Sequence, residues 1–314
     1  MRILRRVPSA ADFPVALTVG VFDGVHLGHQ AMLARLKDAA RQRGLPPCAM
    51  TFEPHPREFF SPDKAPPRLT SLREKLELLA AQGMERVYVC RFNYAFAQIP
   101  APEFIERVIV HGLDVRWLLV GDDFRFGARR AGDAVMLRQY APVHGFEVEA
   151  MTSVTIGGER VSSTAIRQAL AAGELGRAER LLGREYSIGG RVVRGDALGR
   201  QLGFPTANVH MKHPRPLAGI FAVEMSGVAE RPVRGVASLG VRPTIRPGGK
   251  PMLEVHLFDF DRDLYGRHVR VNFLHKFRDE EKYADLATLT RQIARDVEDA
   301  QAWFRRRDAK AVGS

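Results

Sequence analysis

The amino-acid sequence predicts two domains in series: an α/β domain built on a parallel sheet, then an antiparallel β barrel or sandwich that ends in a helix. Three observations predict this. From residue 15 to about residue 183, short apolar runs alternate with helical patterns, the mark of a parallel sheet with helices on both faces. Beyond Gly183 the pattern changes to alternating β-rich runs separated by glycines and prolines, as antiparallel pairing requires. The tail over 284–304 then carries Leu286, Leu289, Ile293, Val297 and Phe304 along one helical stripe. A chain of 314 residues, 45% of them hydrophobic, is long enough for two cores. The boundary falls at Gly183, giving domains over 1–183 and 184–314.

In order along the first half, residues 15–22 form an apolar, strand-like run, and a helical pattern opens at Gly28 and closes at Gly44. Further strands follow at 48–52, 86–91, 115–120 and 146–151. Helices lie between them at 72–82, 102–111 and 132–140, with Gly83 and Gly112 as stops. Two more helical segments, from Ser163 to about Ala171 and over 174–182, complete this half. In the second half the β runs are 187–194, 219–224, 232–239, 252–257 and 268–273.

Ligands on parallel sheets bind beyond the carboxyl ends of the strands, so the residues just after each strand carry the most information. Residues 20–29 read GVFDGVHLGH and sit on such a strand-to-helix turn. There the first N–H groups of the helix and the positive end of its dipole favour a phosphate. Gly24 and Gly28 let backbone come close. His26 and His29 stand three apart, so both imidazoles can face one pocket if His26 lies at the helix entrance. Two imidazoles above backbone N–H groups suit charge building on a phosphoryl group, with no protein nucleophile needed. The spacing by itself indicates a phosphate-binding nucleotidyl-transfer site.

Other loops on the same side add candidates. Residues 53–56, EPHP, follow the second strand, and 121–127, GDDFRFG, follow the fourth. Asp122 and Asp123 could hold a metal or accept ribose hydroxyls, and Phe124 or Phe126 could stack on a planar ring. Equally, one Asp could cap a turn and one Phe belong to the core. Residues 161–167, VSSTAIR, gather the hydroxyls of Ser162, Ser163 and Thr164 at a helix start, with Arg167 one turn in. The chain contains neither GxG nor GxxxxGK[ST], which argues against a dinucleotide fingerprint and against a P-loop.

In the second half, residues 190–208 read GRVVRGDALGRQLGFPTAN. Gly195, Gly199 and Gly203 mark a loop able to close over phosphates. Pro205 fixes the backbone ahead of Thr206 and Asn208, which are two apart and face the same side if extended. Both offer hard oxygen ligands, apt for Mg²⁺ shared with nucleotide phosphates. Glu254 lies within a later β run, where a carboxylate is commonly just solvent-facing. Phosphoryl transfer to an alcohol needs a positioned base, and a strand-borne glutamate gives a rigid one.

The string around His26 and His29, with Gly20, Phe22, Asp23 and Gly24 ahead of them, resembles the first signature of the HIGH-type nucleotidyltransferases, in the form found in prokaryotic FAD synthetases. Residues 162–167 resemble the second signature, which grips the ATP phosphates, and this carries over to Ser163, Thr164 and Arg167. The string ending in PTAN resembles the riboflavin kinase signature, whose Thr and Asn engage ATP and magnesium; here these are Thr206 and Asn208. Glu254 matches the base in that family's ExHxFDFxxDLYG segment. Residues 238–244, SLGVRPT, match as well, although Asn often stands where Ser238 is, which leaves Ser238 without a role. Arg278 and Glu280, in KFRDEEKY, fall where that family closes over flavin.

The resemblance covers nearly the whole chain and is to bifunctional riboflavin kinase/FAD synthetases. It implies a Rossmann-like HIGH-type nucleotidyltransferase domain followed by a riboflavin kinase barrel. The barrel would turn riboflavin and ATP into FMN and ADP, and the sheet domain would turn FMN and a second ATP into FAD and pyrophosphate. In this picture Asp123 joins the adenylyltransferase ATP site and Phe126, Arg278 and Glu280 contact flavin. Gly195, Gly199 and Gly203 line the kinase ATP site, and Thr206 and Asn208 hold Mg²⁺.

The net charge of +11 fits two sites that handle polyphosphates, though charge alone does not choose among nucleotides, nucleic acid and a membrane surface. Basic runs are short, at Arg5 and Arg6 and at residues 305–307, and no aromatic-interleaved basic patch of the RNA-binding type is present. No apolar stretch approaches the length of a membrane span. The start breaks at Pro8, Asp12 and Pro14 before the apolar region of a secretory signal. Cys48 and Cys90 lie in apolar runs and read as reduced. The expectation is a cytoplasmic enzyme with neither nucleic acid nor membrane as partner; its oligomeric state is not legible. Within enzymes the rival is a nucleotidyltransferase for another phosphate acceptor, with a barrel that only binds, and Thr206, Asn208 and Glu254 together speak against it. From a different class the rival is an RNA-binding protein with an OB-like barrel, against which stands the missing aromatic-interleaved basic patch.

Overall fold

Strands that are apolar on both faces need cover on both, and helices supply it over the first half of the chain. The structure is a computed structural model and describes residues 1–195, 198–241 and 251–312. It separates into two units, Met1–Pro66 with Leu72–Ser163 and Pro67–Ser71 with Thr164–Ser314. Among the described residues no helix is long and apolar enough to cross a membrane.

The first unit contains β1 (Arg2–Leu4), β2 (Val15–Val19), α1 (Leu27–Arg43), β3 (Pro47–Glu53), α2 (Leu72–Ala81) and β4 (Arg86–Arg91). These are followed by α3 (Ala101–Phe104), β5 (Val115–Gly121), α4 (Ala134–His144) and β6 (Glu147–Met151). The strands form one parallel sheet in the order β1-β4-β3-β2-β5-β6. Strand alternation divides the core: Val15, Leu17 and Val19 join Met50 and Leu118 on one face, while Ala16 joins Leu33, Leu36 and Trp117 on the other. From β2 the chain steps to β3 and β4 on one side and returns to β5 and β6 on the other. The order therefore reverses between β2 and β5, and the turns after those two strands border the crevice this leaves.

Several boundaries differ from expectation for local reasons. β2 stops at Val19, because the backbone turns through positive φ at Phe22, Gly24 and Val25. The helix expected over 102–111 becomes a π-helix over Ile105–Gly112, which an i, i+3, i+4 pattern does not distinguish from an α-helix. The helix expected at 132 begins at Ala134, because Asp133 caps it by accepting from the Met136 N–H at 2.9 Å and Gly132–Asp133 pairs with Arg125–Phe126.

The second unit takes in α5 (Ser163–Ala171) from Thr164 onward and α6 (Leu175–Leu182), the latter closed by left-handed Gly183. Its barrel is built from β7 (Ser187–Val193), β8 (Ala207–His210), β9 (Gly219–Ser226), β10 (Val233–Val241), β11 (Pro251–Leu257) and β12 (His268–Arg278). These close in the order β7-β8-β11-β10-β9-β12 with every pair antiparallel, so of the two β architectures left open the barrel is the one formed. Phe221 and Phe273 meet edge to face inside it, 5.2 Å apart. The tail helix α7 (Leu286–Val312) packs on the outside through Ala300, Val297 and Phe304, against Ile220, Val236 and Phe258. Leu286, expected on the buried stripe, is 58% exposed at the helix start.

Candidate active sites

The turn after β2 is strained and held by burial. The Gly20 N–H donates to the Met50 carbonyl, and a Cβ on Gly20 would press on the Phe22 ring at 3.1 Å. Phe22 (φ 51°) and Val25 (φ 40°) occupy the left-handed region, at a cost of about 1–3 kcal/mol each, and both side chains are fully buried. This backbone delivers His26 as the N-cap of α1, its Nδ1 accepting from the His29 N–H at 3.3 Å. A neutral His26 therefore carries its proton on Nε2. The His26 and His29 rings stack with centroids 3.7 Å apart and planes 20° apart. Gly28 makes room for this: a Cβ there would come within 3.2 Å of the His26 ring.

His29 is fixed from the other side by Phe22, edge-on at 5.2 Å. Its Nδ1 is buried with no hydrogen-bond partner among the described residues. Burial above all, then His26 and Lys75, holds the His29 imidazolium pKa well below the ordinary value. His29 is thus a neutral imidazole at neutral pH and offers a hydrogen bond without a formal charge.

Lys75 was not anticipated. It is buried on α2, and its Nζ donates to Thr51 Oγ1 at 3.4 Å, which in turn donates to the Val21 carbonyl of the turn at 3.0 Å. The available signal was a lysine on the apolar stripe set by Leu72, Leu76 and Leu79.

A hydrogen bond ties Ser163 to the first motif. Ser163 Oγ donates to the carbonyl of buried Asp23 at 2.9 Å, across 140 residues of sequence. Thr164 and Arg167 fall in the second unit, where Arg167 Nε donates to the Pro67 carbonyl at 2.8 Å. Asp123 is exposed and ion-paired to Arg160 at 2.9 Å. Phe126 is 6% exposed, packed on Phe104 and stacked with Phe124 at 5.7 Å. In the EPHP loop, His55 caps the short helix Pro56–Phe60 by accepting from the Arg57 N–H.

In the barrel the pairing register assembles the second site. Asn208 on β8 lies directly opposite Glu254 on β11, and Glu254 lies opposite Ser238 on β10, so the three side chains form a row across neighbouring strands. Leu253 and Val255 point into the barrel and are fully buried, which turns Glu254 outward. Two glycines of the preceding loop lie against the PTAN side chains. A Cβ on Gly195 would meet the Asn208 Nδ2 at 2.5 Å, and one on Gly199 would lie 3.2 Å from Thr206 Oγ1. Gly203 adopts φ 87°, a conformation glycine takes at no steric cost. Asn208 is 5% exposed, and its Oδ1 has no hydrogen-bond partner among the described residues. A buried hard oxygen left in this way beside Thr206 suits a cation.

His256, two residues from Glu254, donates from Nδ1 to the Pro205 carbonyl at 2.9 Å and so anchors the PTAN segment. Its place in the ExHxFDF motif does not by itself reveal this task. Arg278 turns to α7, forming a two-pronged pair with Asp296 at 2.9 and 2.6 Å. Glu280 accepts from Ser238 Oγ at 2.7 Å. Of the matched 238–244 segment, residues 242–244 lie outside the described residues. A separate cleft of about 900 Å³, whose lining includes Arg231, Phe258, Arg262 and Phe304, contains none of the predicted site residues.

A nucleotidyl-transfer turn on a parallel sheet and a glycine-covered oxygen site on a barrel define a two-site, nucleotide-dependent transferase. A FAD synthetase family model matches residues 9–165 and a riboflavin kinase family model matches residues 182–304. The bifunctional riboflavin kinase/FMN adenylyltransferase of Escherichia coli K12 is 47% identical over 308 residues, covering 97% of this chain and 98% of the relative. That of Pseudomonas fluorescens is 48% identical over 286 residues, 91% of each chain. Among solved structures, one titled as a macrolide-efflux protein from Streptococcus pneumoniae matches with a TM-score of 0.81 and 30% identity, over 96% of this chain and 100% of its own. The chain belongs to the bifunctional riboflavin kinase/FMN adenylyltransferase family.

Proposed function

We propose that this chain makes FAD from riboflavin in two ATP-dependent steps, with the kinase in residues 184–314 and the adenylyltransferase in residues 1–183. The observation that carries the kinase assignment is Asn208 directly opposite Glu254, with Gly195 against the Asn208 amide. Glu254 takes the proton of the terminal ribityl hydroxyl, whose oxygen forms a bond to the γ-phosphorus of ATP as the bond to ADP breaks. Thr206 and the orphaned Asn208 Oδ1 would hold Mg²⁺ together with phosphate oxygens. Such an ion supplies charge neutralisation on the transferring phosphoryl group. Gly195, Gly199 and Gly203 let the loop backbone lie against the nucleotide, while Arg278 and Glu280 close on the flavin side.

In the sheet domain a phosphate oxygen of FMN attacks the α-phosphorus of a second ATP, and pyrophosphate leaves from the opposite side. His26 and His29 donate hydrogen bonds to the growing negative charge from a stacked, largely desolvated pair. Gly20, Phe22, Asp23 and Gly24 shape the turn. Ser163, Thr164 and Arg167 engage the leaving phosphates, Asp123 the nucleotide, and Phe126, with Phe124 stacked on it, the flavin. No covalent enzyme intermediate forms.

Free, buried Cys48 and Cys90 support a reducing compartment, the cytoplasm. Riboflavin, FMN, FAD, ATP, ADP and pyrophosphate are the ligands of this reading, without nucleic acid or membrane. Incubating the purified protein with riboflavin, ATP and Mg²⁺, with products identified by mass, tests it. Glu254→Ala is expected to abolish FMN formation yet adenylylate supplied FMN. Loss of both activities from this change would overturn the two-site assignment.

A further inference from the structure

Ser238 belongs to a matched motif but had no task, and its surroundings supply one. It stands directly opposite Glu254 on the outer face of the barrel, so its hydroxyl neighbours the base. That hydroxyl donates to Glu280 Oε1 at 2.7 Å, across 42 residues of sequence. Two residues further along β10, Gly240 leaves open the floor on which the Glu280 carboxylate rests; a Cβ there would overlap the carboxylate oxygens. A long, exposed side chain is thereby held beside Glu254 by a short, charge-assisted bond.

We infer that Ser238 is a positioning residue: it fixes Glu280 as a hydroxyl acceptor for the polyol chain of the alcohol substrate, next to the hydroxyl that Glu254 deprotonates. The inference rests on the reading of the barrel as the riboflavin kinase site. An ionised carboxylate accepts and does not donate, so at this position it favours a chain that presents several O–H groups. Left to itself, an exposed glutamate is spread over many rotamers, and ordering it on binding would weaken the complex. The serine and the bare glycine floor order it beforehand. Polyol recognition is then separate from recognition of the flavin ring.

The test is steady-state FMN formation by the full-length Ser238→Ala variant, with lumiflavin, which has the ring but no polyol, as competing ligand. KM for riboflavin should rise about tenfold, the loss expected of one hydrogen bond to a charged group. Turnover should stay within about twofold, since the base is untouched. The inhibition constant of lumiflavin should not move, and Ser238→Thr should restore KM. Glu280→Ala should raise KM similarly, and combining it with Ser238→Ala should add little, because the two act as one unit. An unchanged KM overturns the inference. So does an equal rise in KM and in the lumiflavin constant, or a fall in turnover alone. If Ser238→Ala does not fold, Glu280→Ala carries the same test with the same readouts. Failure of the underlying reading is separately visible, as a Glu254→Ala variant that still makes FMN.

Discussion

Single atoms decide much of this enzyme. His29 is kept neutral by burial first and by the charges of His26 and Lys75 next, so its ring should remain deprotonated as pH falls through the ordinary imidazole value. An NMR titration of the ring resonances should find no midpoint near pH 6.5. His29→Ala should let FMN accumulate with little FAD, read by flavin chromatography. Gly195→Ala acts by crowding: the added methyl would meet the Asn208 amide, and displacing that oxygen by about 1 Å should lower kinase kcat/KM about 100-fold. Supplied FMN should still be adenylylated. The histidine pair could be read from its spacing, whereas the tasks expected of Thr206, Asn208 and Glu254 came from the likeness of their motifs to riboflavin kinases. Lys75 and His256 were not, since their roles arise from Thr51 and from the Pro205 carbonyl, partners that meet only on folding.

At the level of elements, legibility followed length. The long strands of the parallel sheet and helices α1 and α2 were readable to within a few residues, because each spans enough positions for its period to emerge. β1, with three residues, and β8, with four, are too short to show a period and exist because a neighbouring strand needs a partner. The hairpin of Thr155–Ile156 with Glu159–Arg160 escaped for the same reason. Besides its apolar contacts, α7 is tied to the barrel by Arg278 and Asp296, whose side chains are 21% and 8% exposed. Removing Asp296 leaves a poorly solvated guanidinium, so Asp296→Ala should destabilise the barrel by about 3 kcal/mol in urea unfolding. This pair is not legible in the sequence, since the two partners lie on separate elements.

For the whole molecule, stability should be dome-shaped in pH. His29 has a lowered folded pKa, so below about pH 6.5 the unfolded chain binds a proton the native one refuses, and stability falls as pH drops. Burial pushes the Cys48 and Cys90 thiols up to about 12, against about 8.5 in an unfolded chain. Between those values the unfolded state ionises and the native state does not, so stability is lost as pH rises above about 8.5. Urea midpoints from pH 5 to 10 should trace a plateau between these limits, and iodoacetamide should label neither thiol until the chain unfolds. The division into a sheet half and a barrel half was readable from the change in pattern near Gly183. The bond between Ser163 and Asp23 was not, because no local pattern reports a contact over 140 residues.

Glu254 faces outward only because its immediate neighbours face inward. Inserting or deleting one residue between Pro251 and Glu254 would reverse that parity, sending a carboxylate into the oily interior and turning Leu253 or Val255 outward. Length changes in this short stretch of strand are tolerable only in even steps, a rule imposed by the pleat before any chemistry begins.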